Sequence, residues 1–85
     1  MVNIMKKVGV VDKFYSKISV ALVTLSDTLA VDDKIKIKGA TTDFEQVVKS
    51  MQIEHESINS ATKGQMIGLK VENRVRPHDE VFIVE

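Results

Sequence analysis

The stretch TTDFEQVVKSMQIEH, residues 41–55, decides the fold because it satisfies two periodicities at once. Thr42 followed three residues later by Glu45 matches a capping box, in which each side chain accepts a hydrogen bond from an otherwise unpaired backbone N–H at a helix start. Phe44, Val47, Val48 and Met51 then fall at i, i+3, i+4 and i+7, one apolar stripe on a helix. Val47, Met51 and Ile53 equally fit a period of two, the spacing of one strand face. Val47 and Val48 are β-branched, which costs rotamer freedom in a helix and suits a pleated sheet. Glu54 and Glu56 would sit by the C-terminus of such a helix, where negative charge opposes the macrodipole. Each effect is worth roughly a few tenths of a kcal/mol, so the rest of the chain has to decide.

The flanking sequence reads as strands. KKVGVVDKFYSKISVALVTL (6–25) gives two, Lys6–Phe14 and Ile18–Leu25, joined by a short hairpin, with Gly9 marking a bulge or tight bend. SDTLAVDD (26–33) is a turn cluster with an apolar plug at Leu29 and Val31. KIKIKG (34–39) is the cleanest alternation in the chain, Ile35 and Ile37 pointing one way and Lys34, Lys36 and Lys38 the other. ESINSATKG (56–64) reads as a loop in which Gly64 can take a positive φ. QMIGLKV (65–71) alternates through Leu69 and Val71, ENRVRPHD (72–79) is a second turn cluster around the sole proline, and EVFIVE (80–85) is a last strand. Counting residues 41–55 as a strand gives six, an even number that closes without an exposed edge. The expected fold is therefore all-β, a six-stranded closed antiparallel barrel occupying residues 1–85 as one domain. Val47, Met51 and Ile53 would point inward, Glu54 outward, with the strand entered through a Thr-Thr-Asp turn.

Composition bounds the function. Among 85 residues there is no cysteine, which removes disulfides, thiolate zinc sites and thiol catalysis together. No apolar run approaches the roughly 18 residues of a membrane span. MVNIMKK has no apolar core before a cleavage site, so a cytoplasmic protein is expected, without a membrane partner. Twelve basic and twelve acidic residues leave a formal charge of zero. A dedicated nucleic-acid domain is usually strongly basic, so any RNA contact must rest on a local patch.

Four groups of residues qualify as contact candidates. Lys34, Lys36 and Lys38 form a basic strip that suits RNA phosphates, or a solvated face that discourages edge pairing; Lys17 lies in the first hairpin. Phe14 and Tyr15 at that hairpin's tip can stack on a base or a partner side chain, or cap the barrel end. Glu54 and His55 close the disputed segment. His78 is the second histidine and no ligand spacing links it to His55, so no metal site is expected. Arg74 and Arg76, with His78 and Asp79, can grip an acidic or phosphate ligand. Ser16, Ser26, Asp27, Asp32 and Asp33 read as turn formers rather than a nucleophile and its base, so neither enzymatic activity nor a cofactor is expected.

The ordered set LAVDDKIKIKG, SMQIEH, SINSATKGQMIGLKV and VRPHDEVFIV resembles the second domain of translational GTPases such as elongation factor Tu. The matching residues are Val31, Asp33, Ile35, Ile37, Gly39, Met51, Ile53, Ala61, Gly64, Ile67, Gly68, Leu69, Asp79 and Val81. Closer in texture are stand-alone elongation-factor-like proteins and the small barrels that end collagenase-like peptidases, to which IKGATTDFEQVVKSMQIEH is similar. The resemblance implies the six-stranded barrel, with Glu45–Glu54 in a strand. It implies a non-catalytic, translation-factor-like module that docks onto a protein or ribonucleoprotein partner, the ribosome and tRNA among the candidates. Its loops Phe14–Lys17, Ser57–Lys63 and Asn73–His78 would make the contacts. The alternative it implies is an accessory barrel of a collagenase-like peptidase system. Two turn glycines of the pattern are replaced by Asp32 and His78, which tolerate a left-handed backbone at some cost. The turn at His55 corresponds to one that helps build the tRNA aminoacyl-end pocket in those GTPases, but Glu54-His55 does not reproduce its chemistry. No GxxxxGK[ST] loop occurs, so GTP binding and hydrolysis are not expected.

Overall fold

The structure, a computed structural model, describes residues 5–84. Residues 1–4, which carry most of MVNIMKK, and Glu85 of the last expected strand lie outside the described residues. The ten strands are β1 (Met5–Tyr15), β2 (Val20–Leu25), β3 (Leu29–Ala30), β4 (Lys34–Lys38), β5 (Asp43–Val47), β6 (Met51–Ile53), β7 (Glu56–Ile58), β8 (Ser60–Ala61), β9 (Met66–Lys70) and β10 (Glu80–Val84). The all-β expectation holds, with no helix among the described residues. Accordingly, no helix there is long and apolar enough to cross a membrane.

Residues 41–55 are extended, as the period-two pattern predicts, but not as one strand. β5 pairs with β4, setting Phe44 opposite Ile37 and Gln46 opposite Ile35. The turn before it closes through the Gly39 N–H, which donates to the Thr42 carbonyl at 2.7 Å, and Thr42 is buried there instead of capping a helix. The strand's inward phase is Phe44, Gln46 and Val48, whereas Val47 is 41% exposed, which corrects the expected inward position of Val47. Met51 is buried and Ile53 half-buried, as expected. Past β5, Val48 exchanges hydrogen bonds with Asp32 and Asp33, and the Ser50 carbonyl accepts from the Lys70 N–H. The chain thus crosses from one end of the sheet to the other between residues 48 and 50.

That crossing corrects the closed six-stranded barrel. Eight strands form one antiparallel sheet in the order β5-β4-β10-β1-β2-β9-β6-β7, and β3 and β8 form a separate ribbon. The two halves of the disputed segment are at opposite ends of that order, so no continuous ladder closes the sheet. A side chain spans the seam instead. The buried Gln46 amide donates to the Lys70 carbonyl at 2.9 Å and accepts from the Glu72 N–H at 2.8 Å. The additional strands come from segments read as turns. Leu29 and Ala61, both buried, pair across the β3–β8 ribbon. β6 and β7 form a hairpin in which Ile53 faces Glu56. Its two linking residues, Glu54 and His55, are both left-handed (φ 50° and 68°), as a two-residue primed turn requires.

The core is the inward set of these strands, with Val8, Val11, Val23, Ile35, Ile37, Ile67, Leu69 and Val81 essentially inaccessible. Burying each such side chain stabilises the fold by about 1.5–3 kcal/mol. β1 serves both β10 and β2 by shifting register once against each, between Lys7 and Gly9 and between Val11 and Lys13. Gly9 stands at the first bulge as expected, and a Cβ there would come within 2.7 Å of Val23 Cγ1. Asp32 (φ 78°) and His78 (φ 77°) adopt a left-handed backbone, and so does Gly64 (φ 89°), as expected for its loop.

Candidate functional site

Two concave surfaces diverge from the tip of the β1–β2 hairpin. Phe14 and Tyr15 are successive strand residues, so they leave on opposite faces. Phe14 packs against the core, while Tyr15 is exposed on the outer face.

On the Tyr15 side lies a groove of about 410 Å³ lined by Tyr15, Ile18, Val20, Leu22, Gln52, Glu54, His55 and Gly68. Its floor follows from register. Gly68 of β9 sits directly between Leu22 of β2 and Gln52 of β6. The missing side chain leaves a trough, and a Cβ there would already be 3.3 Å from Val20 Cγ1. Ile18, at 57% exposure, forms one wall, and the left-handed Glu54-His55 turn forms the opposite rim. The hairpin tip is fastened by the Lys70 ammonium, which donates to the Ile18 carbonyl at 2.7 Å, and by the Val71 N–H, which donates to the Ser19 carbonyl at 2.9 Å. The Lys13 ammonium lies 5.1 Å from the centre of the Tyr15 ring. The groove is therefore mainly apolar, with polar groups at its rim.

On the Phe14 side the loop after β9 builds a cationic end. One cavity of about 310 Å³ is lined by Lys13, Phe14, Arg74, Val75, Arg76 and Pro77. A second, of about 360 Å³, shares Phe14 and Arg74 and adds Ser16, Ser19, Glu72 and Asn73. The loop alternates, with Val75 buried between exposed Arg74 and Arg76. Its far end is pinned by the buried Asp79 carboxylate, which accepts the Arg76 N–H at 2.8 Å, and by the His78 N–H, which donates to the Val11 carbonyl at 2.8 Å.

The structure thus gathers Tyr15, Glu54 and His55 at one surface and Phe14, Arg74 and Arg76 at another. The lysine strip joins neither as a unit. The Lys34 ammonium lies 3.5 Å from Glu45 and that of Lys36 3.4 Å from Asp43, both carboxylates on neighbouring β5, so two of its three charges are locally balanced. Lys38 lines a separate cleft with Arg76 and His78, and Lys17 is exposed in the hairpin turn without lining any of these cavities. Residues 57–63 hold parts of β7 and β8 rather than a free recognition loop. Ile18, Leu22, Gln52 and Gly68 escaped the sequence reading. The one signal for them was a glycine within the alternation of QMIGLKV, a mark of close approach or of a missing wall. Among the described residues no group of three or more histidine, aspartate or glutamate side chains is placed to hold a metal.

No protein-family model matches the chain. Its fold is that of the C-terminal domain of a Geobacillus thermoleovorans protein assigned to the U32 peptidases. The crystal structure of that domain superposes with a TM-score of 0.86 over 94% of this chain and 92% of that one, at 19% identity. In sequence the chain is 42% identical over 80 residues to an uncharacterized protease of Methanocaldococcus jannaschii, covering 93% of this chain and 20% of the protease. It is 36% identical over 72 residues to a collagenase of Porphyromonas gingivalis, covering 82% of this chain and 20% of the collagenase. The chain therefore spans about a fifth of the length of these curated relatives. These relatives bear out the collagenase-like part of the resemblance and lend nothing to the elongation-factor part. The expectation of a translation-factor-like binding module is corrected accordingly, since proteins that match most of the chain are peptidases.

Proposed function

We propose that this chain acts as a non-catalytic accessory β-domain of a collagenase-like peptidase system, helping to position the catalytic portion or its polypeptide substrate. The observation that carries this reading is the asymmetry of the match, which takes in 93% of this chain but 20% of the archaeal protease. The remaining four-fifths of such relatives offers ample chain for the chemistry. The groove over Gly68 is the contact surface, because it combines exposed apolar side chains with a trough for one inserted side chain.

The test uses the archaeal protease deprived of its 80 matching residues, with this chain supplied in trans. The chain alone should release no peptides from gelatin, and it should bind the truncated protease in a titration calorimeter. Gelatin cleavage by the chain alone, or no heat of binding, would sink the proposal.

A further inference from the structure

We infer that the end of the sheet formed by Phe14, Arg74 and Arg76 is a binding site for an acidic polypeptide segment, independent of the groove over Gly68. The charges of the molecule divide unevenly. Lys6, Lys7, Lys34, Lys36 and Lys49 each lie within 4.0 Å of a carboxylate, on Asp27, Glu80, Glu45, Asp43 and Glu72 respectively. Among the described residues Lys13, Lys17, Lys38, Lys63, Lys70, Arg74 and Arg76 have no such partner, and of these Arg74 and Arg76 stand two positions apart and both line the cavity that Phe14 floors. The carboxylates nearby are already engaged. Glu72 is held by Lys49, Asp79 is buried on the Arg76 amide, Glu80 pairs with Lys7, and Asp12 accepts from the Thr24 hydroxyl.

The pair is also held in place before any ligand arrives. Buried Val75 fixes the chain between the two arginines, Glu72 is tied to Gln46, and residues 76–79 are closed by Asp79 and by β1. A site whose backbone is already ordered loses less freedom on binding. Each guanidinium presents a planar fork that matches a carboxylate bidentately. The arginines are two positions apart on an alternating loop. An extended partner shows side chains of one face every second residue, about 7 Å apart, so a segment with acidic residues at i and i+2 meets both forks.

A nucleic acid is the less suitable occupant. The lysines that would continue a phosphate track, Lys34 and Lys36, are balanced by β5, and Tyr15, the exposed ring of the hairpin tip, lines the other surface.

Fluorescence anisotropy decides the matter, using a fluorescein-labelled peptide of alternating glutamate and serine titrated with the whole chain. Saturable binding is expected, weakening as salt rises toward about 0.5 M. The Arg74→Glu/Arg76→Glu double variant should bind at least about tenfold more weakly, since it opposes like charges. Arg74→Lys/Arg76→Lys should fall between it and the parent, because a point charge lacks the fork. Lys34→Glu/Lys36→Glu should stay within about twofold of the parent. Circular dichroism confirms that each variant is folded. The inference is overturned if the parent does not bind the peptide, if the arginine reversal leaves affinity unchanged, or if the lysine reversal weakens it equally. Tighter binding of an oligouridylate of equal charge would overturn it in favour of RNA.

Discussion

The two surfaces that part at Phe14 and Tyr15 are built by opposite means. The groove over Gly68 arises by subtraction, through a missing side chain in a regular ladder of β2, β9 and β6, with Ile18 and the Glu54-His55 turn as its walls. The cationic end arises by addition, through an irregular loop laid against β1 and tied to β5 by Gln46. A ladder-built surface is as rigid as the sheet. A loop-built one is only as rigid as the few side chains that pin it, so the two should respond to different substitutions.

The largest expected effect is at the pin. Gln46→Ala removes a buried amide that serves the Lys70 carbonyl and the Glu72 N–H, and should cost about 2–4 kcal/mol of stability in urea unfolding. Hydrogen exchange should accelerate first at residues 72–76 while amides of β2 and β9 near the groove hold. Equal acceleration at both surfaces would erase the distinction between them.

Gly68→Val probes the other surface. It should cost about 1–3 kcal/mol, because its Cβ meets the stiff β-branched Val20 Cγ1 at 3.3 Å and that neighbour has to give. It should also abolish the fluorescence enhancement of an apolar naphthalene dye bound in the groove, while leaving binding of the acidic peptide intact. A dye signal that survives would show that the trough is not where apolar ligands sit.

A smaller effect concerns the groove's rim. Replacing Glu54→Asn and His55→Gly together supplies the residues that a two-residue turn with positive φ at both positions favours, and should raise stability by about 1 kcal/mol. If thermal unfolding shows no gain, the left-handed pair carries no strain.

The smallest effect is at neither surface. The Lys6 ammonium, 2.6 Å from Asp27, and then the Thr28 N–H hold the Asp27 carboxyl below its ordinary range. A depressed carboxyl pKa favours the fold above the unfolded value and loses that contribution as pH falls through the folded one. Carbon-detected NMR titration should therefore place the Asp27 midpoint below 3.8, and Lys6→Met should move it upward. A midpoint unmoved by that substitution would remove the pair as the cause.

Much of the fold was legible because local chemistry and tertiary structure agree. KIKIKG keeps its alternation, and Asp32 and His78 take the left-handed backbone that their residue types tolerate. Residues 41–55 were half legible. With Val47 and Val48 both apolar, either phase looks amphipathic, and the deciding residue is the polar Gln46, whose burial depends on backbone partners distant in sequence. The crossing at 48–50 has no local marker, since its lysine and serine suit an exposed strand equally well. In the candidate sites, Arg74 and Arg76 were visible as a cluster with His78 beside Asp79. That Phe14 floors their cavity and Tyr15 leaves for the groove follows from pairing across the sheet, which no short motif encodes.

Met5 pairs with Val84, so the first and last described residues stand side by side where β1 begins, and both surfaces lie where it ends. β1 is the long strut between them, within a body 39 Å in its longest dimension. A larger protein joined at either terminus would therefore be attached at the foot of this strut. It would hold both surfaces at arm's length, about 30 Å from the joint. A small rotation at the foot would become a sweep of several ångströms at the tip, the geometry of a lever.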